Sequence, residues 1–280
     1  MVDDLRRSII GKKICSVWSD LPGKNLPDFR DIRGATIKTV DRRGKNILVY
    51  LSKGKEDLLL LVHPRMTGHF LIGKWVIAGR KKPEPVLKNG PLSEKTNSYI
   101  HLIFTLGDGE MLGLSDARKF SKIIFGKAAR VEKLNELNKL GPDALSPKLT
   151  EPAFQKIISS KNKPIKAVLM DQSAVAGIGN IYSDEILWLS KINPLRKAPV
   201  LKDEEIRSIY SAMCSILKKA VRLRGTSFSD FRDTGGRKGK YGERRLVYGL
   251  ASRPCVRCGS IIAKAKVSGR TASFCPECQK

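Results

Sequence analysis

The sequence predicts an α+β protein in two parts: an amino-terminal β-sandwich, and a helical half closed by a cysteine-rich ribbon. Three observations carry this reading. Short β-rich runs recur between turn residues up to about residue 126. Beyond that point the apolar residues fall at helical spacing. Near the end, Cys255-Val-Arg-Cys258 and Cys275-Pro-Glu-Cys278 form two Cys-x-x-Cys knuckles.

The elements follow in order. Leu5, Ile9 and Ile10 are spaced for one apolar face, so residues 3–10 read as the end of a short helix stopped by Gly11. Strands are expected at Lys13–Trp18, Ala35–Val40, Asn46–Leu51, Leu58–Val62, Phe70–Ile77, Ser98–Leu106, Glu110–Ser115 and Lys122–Phe125. Gly107-Asp108-Gly109 is a hairpin signal. Many short strands at this pitch predict a sandwich. The polar stretch 78–97 reads as a solvated loop. Val131–Leu140 has helical spacing, ended by Gly141-Pro142. Thr150-Glu-Pro opens a further helix with a hydroxyl cap and an early proline. Ile165–Met170, Tyr182–Leu189 and Asp203–Leu223 continue the pattern, and the glycine- and arginine-rich residues 225–245 read as a mobile loop.

Composition narrows the function. The chain has 280 residues, enough for two domains, with 53 Lys+Arg against 27 Asp+Glu, a formal charge of +26. Such an excess concentrates polyanions and makes nucleic acid the natural partner. No apolar run reaches the roughly 20 residues that span a bilayer, and the opening Met1-Val-Asp-Asp-Leu is unlike a signal peptide. The expected location is the cytoplasm, which suits the remaining Cys15 and Cys214. Two knuckles turn four thiolates toward one point, the donor set of one structural zinc ion, with Cys255, Cys258, Cys275 and Cys278 as ligands. Two disulfides are the alternative.

Four further stretches carry chemistry. In Asp171–Glu185, Gly177 and Gly179 precede Asn180, which begins a helix. Such a turn offers backbone N–H groups to a phosphate, or is an ordinary helical corner. His63-Pro-Arg-Met66-Thr-Gly68 and Asp116-Ala-Arg118-Lys-Phe120 both follow strands. Apolar or planar side chains on such loops fill the gap left by an extruded nucleotide, or else pack in a core. Arg42-Arg43-Gly44-Lys45-Asn46 places a lysine after a tight turn, within reach of a phosphate, or is a solvated turn.

Together with GTSFSDF, LVYG and the terminal cysteine block, these stretches resemble, in order along the whole chain, the bacterial formamidopyrimidine-DNA glycosylases, relatives of endonuclease VIII. The resemblance implies a β-sandwich domain over 1–126, a linker over 127–149, a helix–two-turn–helix DNA-binding domain over 150–250 and a zinc finger over 251–280. It implies a monomeric, nucleoid-associated repair enzyme acting on damaged double-stranded DNA. Such an enzyme excises oxidised purines (8-oxoguanine, formamidopyrimidines) through a Schiff base and cleaves the strand by β,δ-elimination. Met66, Arg118 and Phe120 match void-filling positions of the formamidopyrimidine branch. Lys45 matches a catalytic lysine at the lesion phosphate, and Arg270 the zinc-finger arginine implicated in the second elimination. Lys163, Lys166 and Asn180 fall at DNA-binding positions of the helical domain, and Tyr99 and His101 near a DNA-contacting histidine. The family opens, after Met, with Pro-Glu-Leu-Pro-Glu-Val-Glu-Thr, which supplies the nucleophilic proline and the proton-donating glutamate. Here Met1 falls inside the helix that follows, about nine residues on. The expectation is therefore a glycosylase and lyase whose true start lies upstream of Met1. A non-catalytic protein that binds damaged duplex is the alternative.

Overall fold

The computed structural model describes all residues except 24–25, 80–81 and 228–230. The Phe-Ser-Asp of the GTSFSDF stretch lies outside the described residues, as does part of 78–97. The chain forms two compact units: residues 1–138 with 224–240, and residues 139–223 with 241–280.

The first unit opens with helix α1 (Val2–Ile9), whose Leu5 and Ile9 are fully buried. Gly11 follows at φ +82, a left-handed turn that glycine adopts without strain. One antiparallel sheet runs β1 (Ile14–Ser19), β8 (Ile100–Leu106), β9 (Met111–Ser115), β5 (His69–Gly73). The other runs β10 (Lys122–Lys127), β4 (Glu56–His63), β3 (Asn46–Lys53), β2 (Thr36–Arg43). Their facing side chains share one core with α1: Ile37, Val49, Leu60 and Val62 from one sheet, and Phe70, Leu102, Phe104 and Leu114 from the other. This is the expected sandwich, held by apolar burial worth roughly 25 cal/mol per Å². Two-residue turns join β2 to β3 through Gly44-Lys45 and β3 to β4 through Gly54-Lys55, both glycines at φ +59.

Three expectations are corrected. Val131–Leu140 is not one helix: α2 (Ala128–Val131) and α3 (Asn135–Asn138) are separate turns. Tertiary bonds bend the chain there. Tyr50 donates to Glu132, Asn46 Nδ2 donates to Glu136 O, and Lys122 pairs with Glu136. The stretch 78–97 is more than a solvated loop. It holds β7 (Glu84–Pro85), which pairs with β6 (Trp75–Val76), and Asn97 is fully buried.

Nor do the described residues of 225–245 behave as a mobile loop. Arg232 is 3% exposed and reaches Glu94 and Thr96. Arg224 pairs with Asp233 at 2.6 Å, and Ile72 N–H donates to Thr234 O. Asn97 Nδ2 donates to Gly236 O at 3.0 Å, while Asn97 Oδ1 lies 2.9 Å from His69 Nε2. The polar stretch thus supplies the partners that fix the later segment to the first unit.

In the second unit, α4 (Glu151–Ser159), α5 (Ile165–Met170), α6 (Asn180–Leu189) and α7 (Asp203–Arg222) enclose one apolar core built on Phe154, Val168, Ile186, Ile209 and Met213. Thr150 caps α4 through Ala153 N–H, as expected. A two-stranded ribbon, β11 (Ala263–Val267) and β12 (Arg270–Phe274), closes the chain. No helix among the described residues is long and apolar enough to cross a membrane.

Candidate functional site

In the first unit, two loops meet. Thr67 donates from its hydroxyl to the Asp116 carboxylate, and both residues are buried. Asp116 also accepts the N–H groups of Arg118 and Ser121. Burial alone would raise its carboxyl, but these bonds outweigh it and hold the pKa below the ordinary value. Ser121 Oγ donates to Pro64 O, so the 64–68 loop and the 116–121 loop are stitched at their bases. A Cβ on Gly68 would sit 2.2 Å from Ser121 Oγ and 2.5 Å from Pro64 O, so only glycine permits this approach.

Above the stitched bases stand three side chains. Met66 is 66% exposed and Phe120 54% exposed. The Arg118 guanidinium lies 4.5 Å from the Phe120 ring centroid, with Nη1 3.5 Å from Met66 Sδ. Large apolar groups held this far out of a core, and bound to a cation, are placed for contact with a partner. The core-packing alternative for Met66 and Phe120 is therefore set aside.

The β2–β3 turn exposes Lys45. At the adjoining end of β4, His63 accepts the Arg65 N–H on Nδ1. Burial, then the nearby charges of Arg65, Lys45 and Lys122, pushes its pKa down to about 4. His63 lies within the HPRMTG stretch, but Lys45 and Lys122 reach it only through the fold. A neutral His63 adds stability fully above its unfolded pKa of about 6.5, and loses it as pH falls toward 4. Histidine NMR titration of the free protein should find that low midpoint. A value of 6 or more would mean that neither the burial nor the cations are felt there.

Two further expected contacts lie in this unit. His101 is only 5% exposed, and its Nδ1 lies 2.8 Å from Asp20 Oδ1. Against expectation, that carboxylate and the surrounding sheet enclose the ring. Tyr99 is half-buried, with Lys82 Nζ 5.7 Å from its ring centroid.

In the second unit, the turn before α6 is held by one side chain. Gln172 donates to Met170 O and Ile178 O and accepts from Gly177 N–H. Gly177 sits at φ +108. Asn180 opens the helix behind Gly179, and among the described residues its buried Oδ1 has no hydrogen-bond partner. The first N–H groups of a helix lack intrahelical acceptors, and the helix dipole favours an anion there. Lys163 is exposed just before α5.

Lys166 departs from expectation. It is fully buried, 2.7 Å from Asp184 Oδ1, and donates to Thr271 O at 2.7 Å. Burial drives the pKa of Lys166 down and that of Asp184 up, each toward its neutral form. A lysine so enclosed grips the ribbon and does not reach a phosphate. Asp184 also accepts Ser273 N–H, and Glu185 accepts the N–H groups of Leu246, Val247 and Tyr248. The motif run ended on these two carboxylates, yet only the fold shows what they hold. Arg270 is exposed and starts β12 after the Ser268-Gly269 turn.

The four expected cysteine sulfurs lie within 4.8 Å of one another. A tetrahedral zinc with bonds of about 2.3 Å sets sulfurs about 3.8 Å apart, so the cluster fits. Four thiolates leave no position for water, and the site is that of one structural zinc.

Comparison with known proteins agrees with this arrangement. Residues 1–123 match the formamidopyrimidine-DNA glycosylase N-terminal domain, 140–232 the H2TH domain of the same enzymes, and 252–280 the zinc finger found in FPG and IleRS. The formamidopyrimidine-DNA glycosylase of Heliobacterium modesticaldum is 33% identical over 100% of this chain and 98% of its own length. That of Pelotomaculum thermopropionicum is 36% identical over 99% and 95%. The Lactococcus lactis Fpg in complex with abasic-site DNA superposes with a TM-score of 0.82 at 31% identity, covering 100% of this chain and 96% of that one. The same enzyme with FAPY-dG DNA also gives 0.82 at 31% identity, covering 100% and 97%. With both domains and the zinc finger matched in order, and relatives above 30% identity along its length, this chain belongs to the formamidopyrimidine-DNA glycosylase family.

Proposed function

We propose that the protein acts in base-excision repair of oxidised purines in duplex DNA, as a glycosylase and abasic-site lyase working through a Schiff base with β,δ-elimination. The observation that carries this is the exposed trio Met66, Arg118 and Phe120 on two stitched loops. Such a wedge offsets the unstacking cost when a damaged base is turned out of the duplex. Lys45 and Arg270 take phosphates at the lesion, and Asn180 and Lys163 grip the backbone, so binding weakens steeply with salt. The protein works as a monomer on its duplex.

Bond breaking needs an amine that forms an iminium with the sugar. By the resemblance, the family's proline and glutamate would precede helix α1, and the Met1 amine lies 3.3 Å from the Asp4 carboxylate. Borohydride trapping on an 8-oxoguanine duplex is therefore run on residues 1–280 and on a chain extended to begin Pro-Glu. A covalent adduct from the extended chain is expected. No adduct from either would leave the second reading, a duplex-binding protein without catalysis.

Met66→Ala should slow excision from duplex by at least about 10-fold, equivalent to about 1.4 kcal/mol, with a smaller change in binding. Equal losses in single-turnover rate and in affinity would remove Met66 from the wedge.

A further inference from the structure

One contact at the zinc site is not made by the ribbon itself. Trp188, on α6, is 5% exposed and packs with Val247, Ile262, Cys255 and Cys275. Its indole Nε1–H points at Cys255 Sγ, 3.4 Å away. The guanidinium of Arg257, a residue inside the first knuckle, lies 3.9 Å from the indole centroid and donates to Trp188 O at 3.0 Å. The ring is thus fixed on one face by a cation and at its edge by a sulfur.

Four thiolates around one divalent ion carry two surplus negative charges. A buried N–H donor aimed at one sulfur and a cation stacked behind that donor both offset this charge. Outer-shell donors of this kind orient the ligand they touch, and their loss typically lowers metal affinity about 10–100-fold.

We propose that Trp188, held by Arg257, is an outer-sphere donor to the Cys255 thiolate that strengthens the hold on zinc and ties the ribbon to α6. Trp188 is a positioning residue: it touches a zinc ligand and none of the groups assigned to DNA. An ordinary packing tryptophan would lose nothing by giving up its N–H, whereas this one would.

The test is zinc transfer from the full chain to the chelator 4-(2-pyridylazo)resorcinol, after a content of one zinc per chain has been measured. That measurement keeps failure of the zinc assignment separate from failure of the proposal. Trp188→Phe should speed transfer by about 10-fold or more. Because phenylalanine also removes volume, a second variant carries 3-benzothienylalanine at position 188, which keeps the bicyclic ring and its stacking but has no N–H. It should match the phenylalanine variant, and Arg257→Gln should show a smaller acceleration. Parental transfer rates with the benzothienyl ring would overturn the proposal, whatever the phenylalanine variant does.

Discussion

Lys166→Met is expected to destabilise the second unit by about 3–5 kcal/mol, a large share of the roughly 5–15 kcal/mol that holds a typical domain. The substitution strands Asp184, itself fully buried, without its counter-charge. It also removes the donor to Thr271 O. The loss should depend on pH. Burial already raises the Asp184 carboxyl, and without Lys166 it rises further. A carboxyl raised above its unfolded value binds its proton more readily in the folded state. The variant's deficit is therefore smallest in acid and grows as pH climbs through the folded pKa. Lys166→Met with Asp184→Asn should recover much of the loss, because an amide oxygen still accepts Ser273 N–H. Denaturant melts of the two variants at pH 5 and pH 8 check this. Salt titrations of duplex binding supply the contrast. Arg270→Ala should lower the slope of log K against log salt by about 0.9, and Lys166→Met should not. An unchanged melt with a reduced slope would put Lys166 on a phosphate after all.

Zinc removal should have a comparably large effect, confined at first to the carboxyl end. Beyond the ribbon's ten paired residues, its core is small: Val247, Cys255, Ile262 and Cys275 against Trp188. Two strands alone are marginal in water. Zinc binding in such sites supplies about 10–16 kcal/mol of apparent free energy, which is also folding free energy. Chelation, or Cys275→Ser, should release residues 252–280 from hydrogen-exchange protection while α4–α7 keep theirs. Duplex affinity should fall about 10–100-fold, the worth of a charge-assisted contact such as that assigned to Arg270. Retained protection in the ribbon after zinc has left would show that apolar packing alone suffices.

Much of the sandwich was legible because β-rich apolar runs and glycine turns are local signals. Each expected strand appears within a few residues of its place, and Gly109 at φ +81 makes the turn between β8 and β9. The cysteines were legible because their spacing encodes the knuckle. Met66, Arg118 and Phe120 were legible as motif positions, but their exposure and mutual contact were not. That depended on Thr67 meeting Asp116, 49 residues away.

The sequence by itself determined the strands, most of the helices, the zinc ligands and the family, since each rests on short-range pattern. Tertiary structure alone decided which cations face outward. Lys45, Lys163 and Lys166 look alike in sequence, yet Lys166 finds a buried carboxylate 18 positions along the chain and is taken inside, while Lys45 and Lys163 stay exposed. It also decided that Arg232 and Gly236 are held by Glu94, Thr96 and Asn97. In both cases the deciding partner is distant in sequence. Desolvation, which settles whether a charge is paired inside or left in water, depends on those partners and not on the residue's own neighbours.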